Sequence, residues 1–417
     1  MRESTSAAGK RRAWAPAART KRGNQMQSIR PPEFVKKIIS RLEAEGFAAY
    51  LVGGCVRDIL LGRAPKDWDV TTSASPSEVQ SLFENTVPTG EKHGTVTVFM
   101  DGAQAEVTTF RSESAYTDHR RPDSVTFVSD LREDLKRRDF TINAMAMKSD
   151  GTVADYFGGR DDLEAKVIRC VGEPRERFEE DALRMLRALR FGAELGFEIE
   201  EKTYSALKDC AGLTVHLSPE RVREELCRIL LSDRPETVSA AISLGLLASF
   251  VPPAEVSLPE LKKLPKRLET RLSYLCMILL GSGQIKDAAL FLSALRFDRK
   301  TTSLVGRAAG LLLEGIPETK SAMKRALSRN GLAPVAVAVE ASGRAEIQAL
   351  LEDILASGEC YSLDRLAVNG DELVALGYRG REVGRALEFL LEHVIDNPNE
   401  NERNILLNLL KQSPKIP

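Results

Sequence analysis

The stretch LVGGCVRDILLGRAPKDWDVTTSASP, Leu51 to Pro76, decides how this chain is read. A short apolar run feeds Gly53-Gly54, and a helical pattern follows at once. Such a turn lets a backbone approach a phosphate closely, with the helix start and Arg57 supplying positive potential, although a plain tight turn uses the same two glycines. Downstream, Asp67 and Asp69 flank Trp68 in a strand-like run. Residues i and i+2 of a strand share a face, which sets the two carboxylates side by side and sends Trp68 toward the core. Paired carboxylates repel unless a cation joins them, and hard oxygen donors suit Mg²⁺ carried together with nucleotide phosphates. A solvated Asp pair at a strand start is the alternative reading.

Working outward, PPEFVKKIISRLEAEGF from Pro31 predicts a helix, with prolines at its start and Phe34, Ile38, Ile39 and Leu42 at helical spacing. AAYLV before the glycines, WDVTT from Trp68, GTVTVFM from Gly94 and AEVTTF from Ala105 predict strands, and Asp101-Gly102 marks a hairpin between the last two. Glu106 falls in the second hairpin strand. It belongs either to a solvated face or to a third metal carboxylate, and spacing alone favours the solvated face. Residues 31–150 therefore predict an α/β head with a small mixed sheet. After Gly158-Gly159 the strands stop, and amphipathic patterns such as EEDALRMLRALRF, SPERVREELCRILL and LETRLSYLCMILL predict a long all-α remainder.

Composition narrows the function classes. The 417 residues have a formal net charge of −1, but residues 1–30 hold eight Lys/Arg against Glu3 alone, which leaves −8 on the rest. An anionic substrate must then be held by locally placed cations. The first 30 residues lack apolar periodicity and read as a disordered basic arm. No apolar run is long enough to span a membrane. The six cysteines lie at least 17 positions apart, which excludes CxxC zinc or redox spacing and predicts free thiols in a reducing cytoplasm. Four histidines without an HExxH remove the commonest zinc signature.

Seven segments then occur in order: the opening stretch, KHGTVTV from Lys92, EVTTFR from Glu106, RRDFTINAMA from Arg137, GGRDDLEAKVIR from Gly158, EDALRMLRALRF from Glu180 and SPERVREEL from Ser218. Together they resemble the bacterial and eukaryotic class of CCA-adding tRNA nucleotidyltransferases and the related bacterial poly(A) polymerases. The resemblance is dense from Pro31 to Leu230 and thinner toward NGDELVALGYRGREVGRALEFLLEHV. It implies a nucleotidyltransferase-type head at 31–150, a base-recognising neck at 151–232, a helical body at 233–350 and a tRNA-binding tail at 351–417. It implies Mg²⁺ ligands at Asp67 and Asp69 and a third active-site carboxylate at Glu106, which reverses the solvent reading. Phosphate and ribose contacts fall on Gly54, Arg57 and Arg138, with Asp139 beside the last. Base-reading residues fall on Asp181 and Arg184, supported by Arg187 and Arg190.

Asp181 and Arg184, at i and i+3 of a helix, would share a face, which is also ordinary salt-bridge spacing. As a template, Asp offers acceptors and Arg donors. Cytosine and adenine each present an amino donor beside a ring-nitrogen acceptor, whereas uracil and guanine present the reverse, so such a pair selects C and A without a nucleic-acid template. Arg187 and Arg190 drift off that face by about 300° per three residues, and Arg190 is expected to brace the site or meet phosphate. Glu220, Arg221 and Glu225 are expected to be structural support. The resemblance implies in-line attack of a tRNA 3′ hydroxyl on CTP or ATP, with pyrophosphate leaving. C-only or A-only addition, poly(A) synthesis and noncatalytic RNA binding remain open alternatives. A full-length Arg111–Arg138 segment favours competence for A, and an end at LLKQSPKIP, with no long basic extension, favours CCA over poly(A) addition.

Overall fold

The computed structural model describes residues 30–90, 94–113 and 125–412. The basic arm up to residue 29, Lys92 and His93 of KHGTVTV, and residues 114–124 of the Arg111–Arg138 segment lie outside the described residues. Helix α1 (Glu33–Ala44) buries Ile38, Ile39 and Leu42 as its periodicity foretold, with Val35 buried beside them and Phe34 only partly buried against the core. Strands β1 (Ala49–Val52), β2 (Asp69–Thr72), β3 (Thr86–Gly90), β4 (Thr95–Met100) and β5 (Ala103–Thr109) follow. The β4–β5 turn has positive φ at both central residues, Asp101 (53°) and Gly102 (77°), the geometry an Asp-Gly pair supports in a tight hairpin. A ribbon of β6 (Arg111–Glu113) and β7 (Val125–Phe127) stands apart, and β8 (Met145–Met147) and β9 (Val153–Asp155) complete a seven-stranded sheet ordered β3-β4-β5-β2-β1-β8-β9. Only the β2–β5 pairing in it is parallel.

Helices α2 (Gly54–Leu60) and α3 (Pro76–Leu82) leave β1 and β2, and α4 (Leu131–Lys136) precedes β8. The strands do not stop at Gly158. After α5 (Gly159–Ala165), β10 (Val167–Ile168) pairs in parallel with β11 (Glu198–Ile199) across α6 (Pro174–Glu180) and α7 (Leu183–Leu195). Two-residue strands leave no periodicity to read. From there the chain is helical through α8 (Glu201–Cys210), α9 (Pro219–Leu230), α10 (Val238–Ser243), α11 (Leu268–Gly281), α12 (Ala288–Ala294), α13 (Arg299–Glu314), α14 (Lys320–Asn330), α15 (Leu332–Ser342), α16 (Ala345–Ser357), α17 (Gly370–Ala375), α18 (Arg381–Asp396) and α19 (Arg403–Gln412).

One apolar core runs continuously from α1 into α13, while separate clusters underlie α14–α16 and α17–α19. The expected body–tail boundary at 350/351 falls inside α16, and the last cluster begins only at Cys360. Buried Lys324 joins these units, pairing with Glu359 and donating to the Ile395 carbonyl at 3.4 Å. Among the described residues no helix is long and apolar enough to cross a membrane.

Candidate active site

Gly53 closes β1 and caps α2 with φ 74° and ψ −136°, a conformation that L side chains rarely adopt. A methyl there would lie 3.1 Å from Arg138 Nη1 and 3.7 Å from Asp69 Oδ2. The turn thus carries a cation and a carboxylate directly over bare backbone. One helical turn on, Arg57 donates from Nη1 to Asn143 Oδ1 (2.8 Å) and from Nη2 to Asp58 Oδ1 (2.8 Å), and it sits 5.3 Å from the centre of the Phe191 ring.

Strand β2 begins at Asp69, so Asp67 lies in the bend before it rather than on the strand expected from i, i+2 spacing. The ladder still reaches back one residue, because the Glu106 amide donates to the Trp68 carbonyl at 3.0 Å. Trp68 packs partly buried against the core, as alternation requires. Glu106 is exposed, yet the parallel β2–β5 register sets it opposite Asp69. Burial pushes the Asp69 carboxyl up to about 6; the charges of Glu106 and Asp67 push the same way, and Arg138 opposes them. Asp67 and Glu106 thus both lie close enough to Asp69 to act on its carboxyl. Among the described residues no group of three potential ligands is tight enough to cage a metal alone. That open donor set fits Mg²⁺, which takes one or two carboxylates and fills its shell with phosphate oxygens and water.

Arg138 is held at Nη2 by Asp134 (3.3 Å), while its buried Nε has no hydrogen-bond partner among the described residues. Asp139 is buried. Burial alone would raise its carboxyl, but Arg187 (Nε 2.8 Å, Nη2 2.6 Å) and the Asn143 amide hold it down at about 2. Asn143 therefore links Arg57 to Asp139, a role that its place in RRDFTINA did not disclose.

The neck departs from expectation in two places. EEDALRMLRALRF is not one helix: Asp181 is extended (φ −138°, ψ 105°) between α6 and α7. Its Oδ1 caps the Leu183 amide at 3.0 Å, because an aspartate competes well for free helix-start amides. Asp181 and Arg184 are not paired with each other. Asp181 Oδ2 accepts from Arg221 (2.8 Å), and Arg184, 7% exposed, is bound to Glu180 (2.6 Å) and the Arg137 carbonyl (2.9 Å). Arg190 is 1% exposed, locked to Glu225 and to Glu194 (2.9 Å), and stacked 4.0 Å from the centre of the Phe191 ring. It braces α7 against α9, and its guanidinium does not reach open space. Glu225→Ala would strand this cation and is expected to lower unfolding stability by about 3 kcal/mol in urea titrations. No loss of stability would contradict that role.

A cavity of about 420 Å³ opens between the head and the helical part. Gly54, Arg57, Asp67 and Asp69 line one wall, and Glu194, Arg228, Ser232 and Lys266 the other. A larger depression of about 860 Å³ lies between α1, α3 and the β4–β5 hairpin, where Lys37 and Asp101 already pair at 2.8 Å, and holds none of the motif residues.

Residues 49–169 match the family described as Poly A polymerase head domain, and residues 196–258 match Probable RNA and SrmB-binding site of polymerase A. The chain is 39% identical over 393 residues to the CCA-adding enzyme of Limosilactobacillus fermentum, covering 90% of this chain and 96% of that one. It is 39% identical over 394 residues to the CCA-adding enzyme of Geobacillus kaustophilus, at the same coverage. Among solved structures, the Bacillus stearothermophilus CCA-adding enzyme in complex with CTP superposes with a TM-score of 0.76 at 34% identity, covering 92% of this chain and 97% of that one. The Thermotoga maritima CCA-adding enzyme complexed with tRNA shares the fold, with a TM-score of 0.61 at 21% identity and coverage of 90% and 94%.

Proposed function

Because the chain belongs to the family of CCA-adding enzymes, we propose that Asp67, Asp69 and Glu106 serve its addition of C, C and A to the 3′ end of tRNA from CTP and ATP, with release of pyrophosphate. The observation that carries this reading is the carboxylate set beside the Gly53 turn, with Asp69 pushed up to about 6 by burial and by its neighbours Glu106 and Asp67, against the pull of Arg138. Asp67 and Asp69 would hold Mg²⁺, with Glu106 beside them. Bound there, the ion lowers the pKa of the RNA 3′ hydroxyl and offsets triphosphate charge.

The protein groups handle the nucleotide. The Gly53-Gly54 turn and Arg57 receive phosphate oxygens. Arg138, whose Nη1 lies over Gly53, offers that nitrogen to a phosphate or ribose oxygen. Asp181 accepts from the exocyclic amine of cytosine or adenine, and Arg184 donates to the ring nitrogen after exchanging Glu180 for the base. Uracil and guanine would set donor against donor and acceptor against acceptor, and a buried mismatch of that kind is strongly rejected. Arg187 steadies the site through Asp139, and Arg190 supports α7 from beneath. Residues 151–232 act as the base-recognising neck, and the helices beyond about 358 as the tRNA-binding tail. The cysteines at 55, 170, 210, 227, 276 and 360 are all free, which supports a reducing cytoplasmic setting. The test is incorporation of each labelled nucleotide singly into tRNA lacking its 3′ end, with Mg²⁺ and with chelator. CTP and ATP incorporation that chelator abolishes is the expected result, and incorporation that survives chelator would overturn the reading.

The raised Asp69 carboxyl has a pH consequence. Proton and ion compete for it, so at fixed Mg²⁺ incorporation is expected to decline as pH falls through about 6, and more Mg²⁺ should move that limb to lower pH. A limb indifferent to Mg²⁺ would contradict the assignment. For the ion-free protein the stability sign is the reverse of a salt-bridged Asp. Its folded-state pKa is raised, so its contribution is largest below the ordinary carboxylate range and is lost as pH rises through about 6.

A further inference from the structure

The site leaves Asp134 unexplained. This aspartate on α4 has no solvent exposure, and its carboxylate gathers donors from three parts of the head: the end of α4 itself, β6 and β2. Oδ1 accepts from Arg137 Nη2 (2.8 Å) and Nε (3.1 Å) and from the Arg111 amide at the foot of β6 (3.3 Å). Oδ2 accepts from Arg138 Nη2 (3.3 Å) and from the Thr71 hydroxyl (3.3 Å), whose one proton is shared with the Thr108 carbonyl at 3.1 Å. Thr71 lies two residues along β2 from Asp69. Burial works against the ionised form, but the Arg138 and Arg137 guanidiniums hold the carboxyl below its ordinary range. A carboxylate kept ionised without water is a stiff anchor, since its donors cannot leave without stranding the charge.

Arg138 meets that anchor with one nitrogen only. Its Nη1 lies 3.1 Å from where a Gly53 methyl would be, and its buried Nε is unused among the described residues. We propose that Asp134 is a positioning residue for nucleotide binding: it clamps the Nη2 end of Arg138 to β2, which leaves Nη1 over the Gly53 turn for a phosphate or ribose oxygen of the incoming nucleotide. A long side chain fixed before the ligand arrives loses less freedom on binding. The inference rests on the reading of Arg138 as a nucleotide contact.

Asp134→Asn keeps the shape and removes the charge. The KM for CTP and ATP is expected to rise about tenfold, the worth of one misplaced charge-assisted hydrogen bond, while the KM for tRNA stays within about twofold. In an Arg138→Ala background the same substitution is expected to raise the nucleotide KM no further. Thr71→Val, which removes the hydroxyl that orients Oδ2, serves if Asp134→Asn does not fold; it should raise the same KM about threefold, again only when Arg138 is present. Additive effects in the two backgrounds, or equal losses of tRNA and nucleotide affinity, overturn the proposal. An Arg138→Ala enzyme with an unchanged nucleotide KM removes its premise, and so separates failure of the Arg138 reading from failure of the clamp.

Discussion

Asp69→Ala and Asp67→Ala are each expected to slow CTP and ATP incorporation by about 10⁴-fold while tRNA affinity is retained. Several kcal/mol of charge stabilisation would go with the ion, at roughly 1.36 kcal/mol per factor of ten. Asp69 is the more informative of the two. It is partly buried, faces Glu106 across the β2–β5 register, and has its carboxyl pushed up to about 6. At neutral pH without metal its charge is therefore a burden on the fold. Removing it should leave the melting temperature of the ion-free protein unchanged or higher, the pattern of a residue kept for chemistry at the expense of stability. Loss of activity together with loss of Tm would instead mark a structural role. Rapid-quench incorporation, tRNA binding by gel shift and thermal melts on the same preparations separate these outcomes.

Gly53→Ala has the next largest expected effect, for a different reason. At φ 74° and ψ −136° a side chain brings backbone strain of about 1–3 kcal/mol. The added methyl also falls 3.1 Å from Arg138 Nη1, tighter than carbon and nitrogen tolerate without one of them moving. The backbone is fixed by β1 and α2, so Arg138 is the group that gives way. We expect kcat/KM for both nucleotides to fall by about 10²-fold, with the tRNA KM little changed, because the strained turn and a shift of Arg138 by a few tenths of an ångström act on the same contact. Wild-type kinetics with CTP in this variant would show that the turn does not approach the nucleotide.

Much of the head was legible because its signals are local. The Gly53 turn, the α1 stripe and the Asp101-Gly102 hairpin each follow from a few neighbouring residues. Glu106 shows the limit of such reading. Its exposure was read correctly from strand spacing, but its place opposite Asp69 comes from the one parallel pairing in the sheet, which joins strands 37 residues apart. The neck misled for a similar reason. Asp181 and Arg184 have helical spacing, yet Asp181 turns back to cap α7 and reaches Arg221, 40 residues away. Arg190 does brace the site, one of the two roles expected of it, but its partner Glu225 lies 35 residues on and was not legible locally. Asp134 carried a readable clue, with Arg137 and Arg138 at i+3 and i+4 on its own helix turn, but nothing local announced that Thr71 would close the clamp.

The central claim is that one protein site, without a nucleic-acid template, chooses C twice and then A. The direct measurement offers the purified chain all four nucleotides with Mg²⁺ and tRNA ending at the discriminator base, at -C or at -CC, and reads products by mass. The account predicts three, two and one additions respectively, ending in CCA, with no uridine or guanosine incorporated. A lengthening run of adenosines, or a halt at -CC with ATP present, would contradict it.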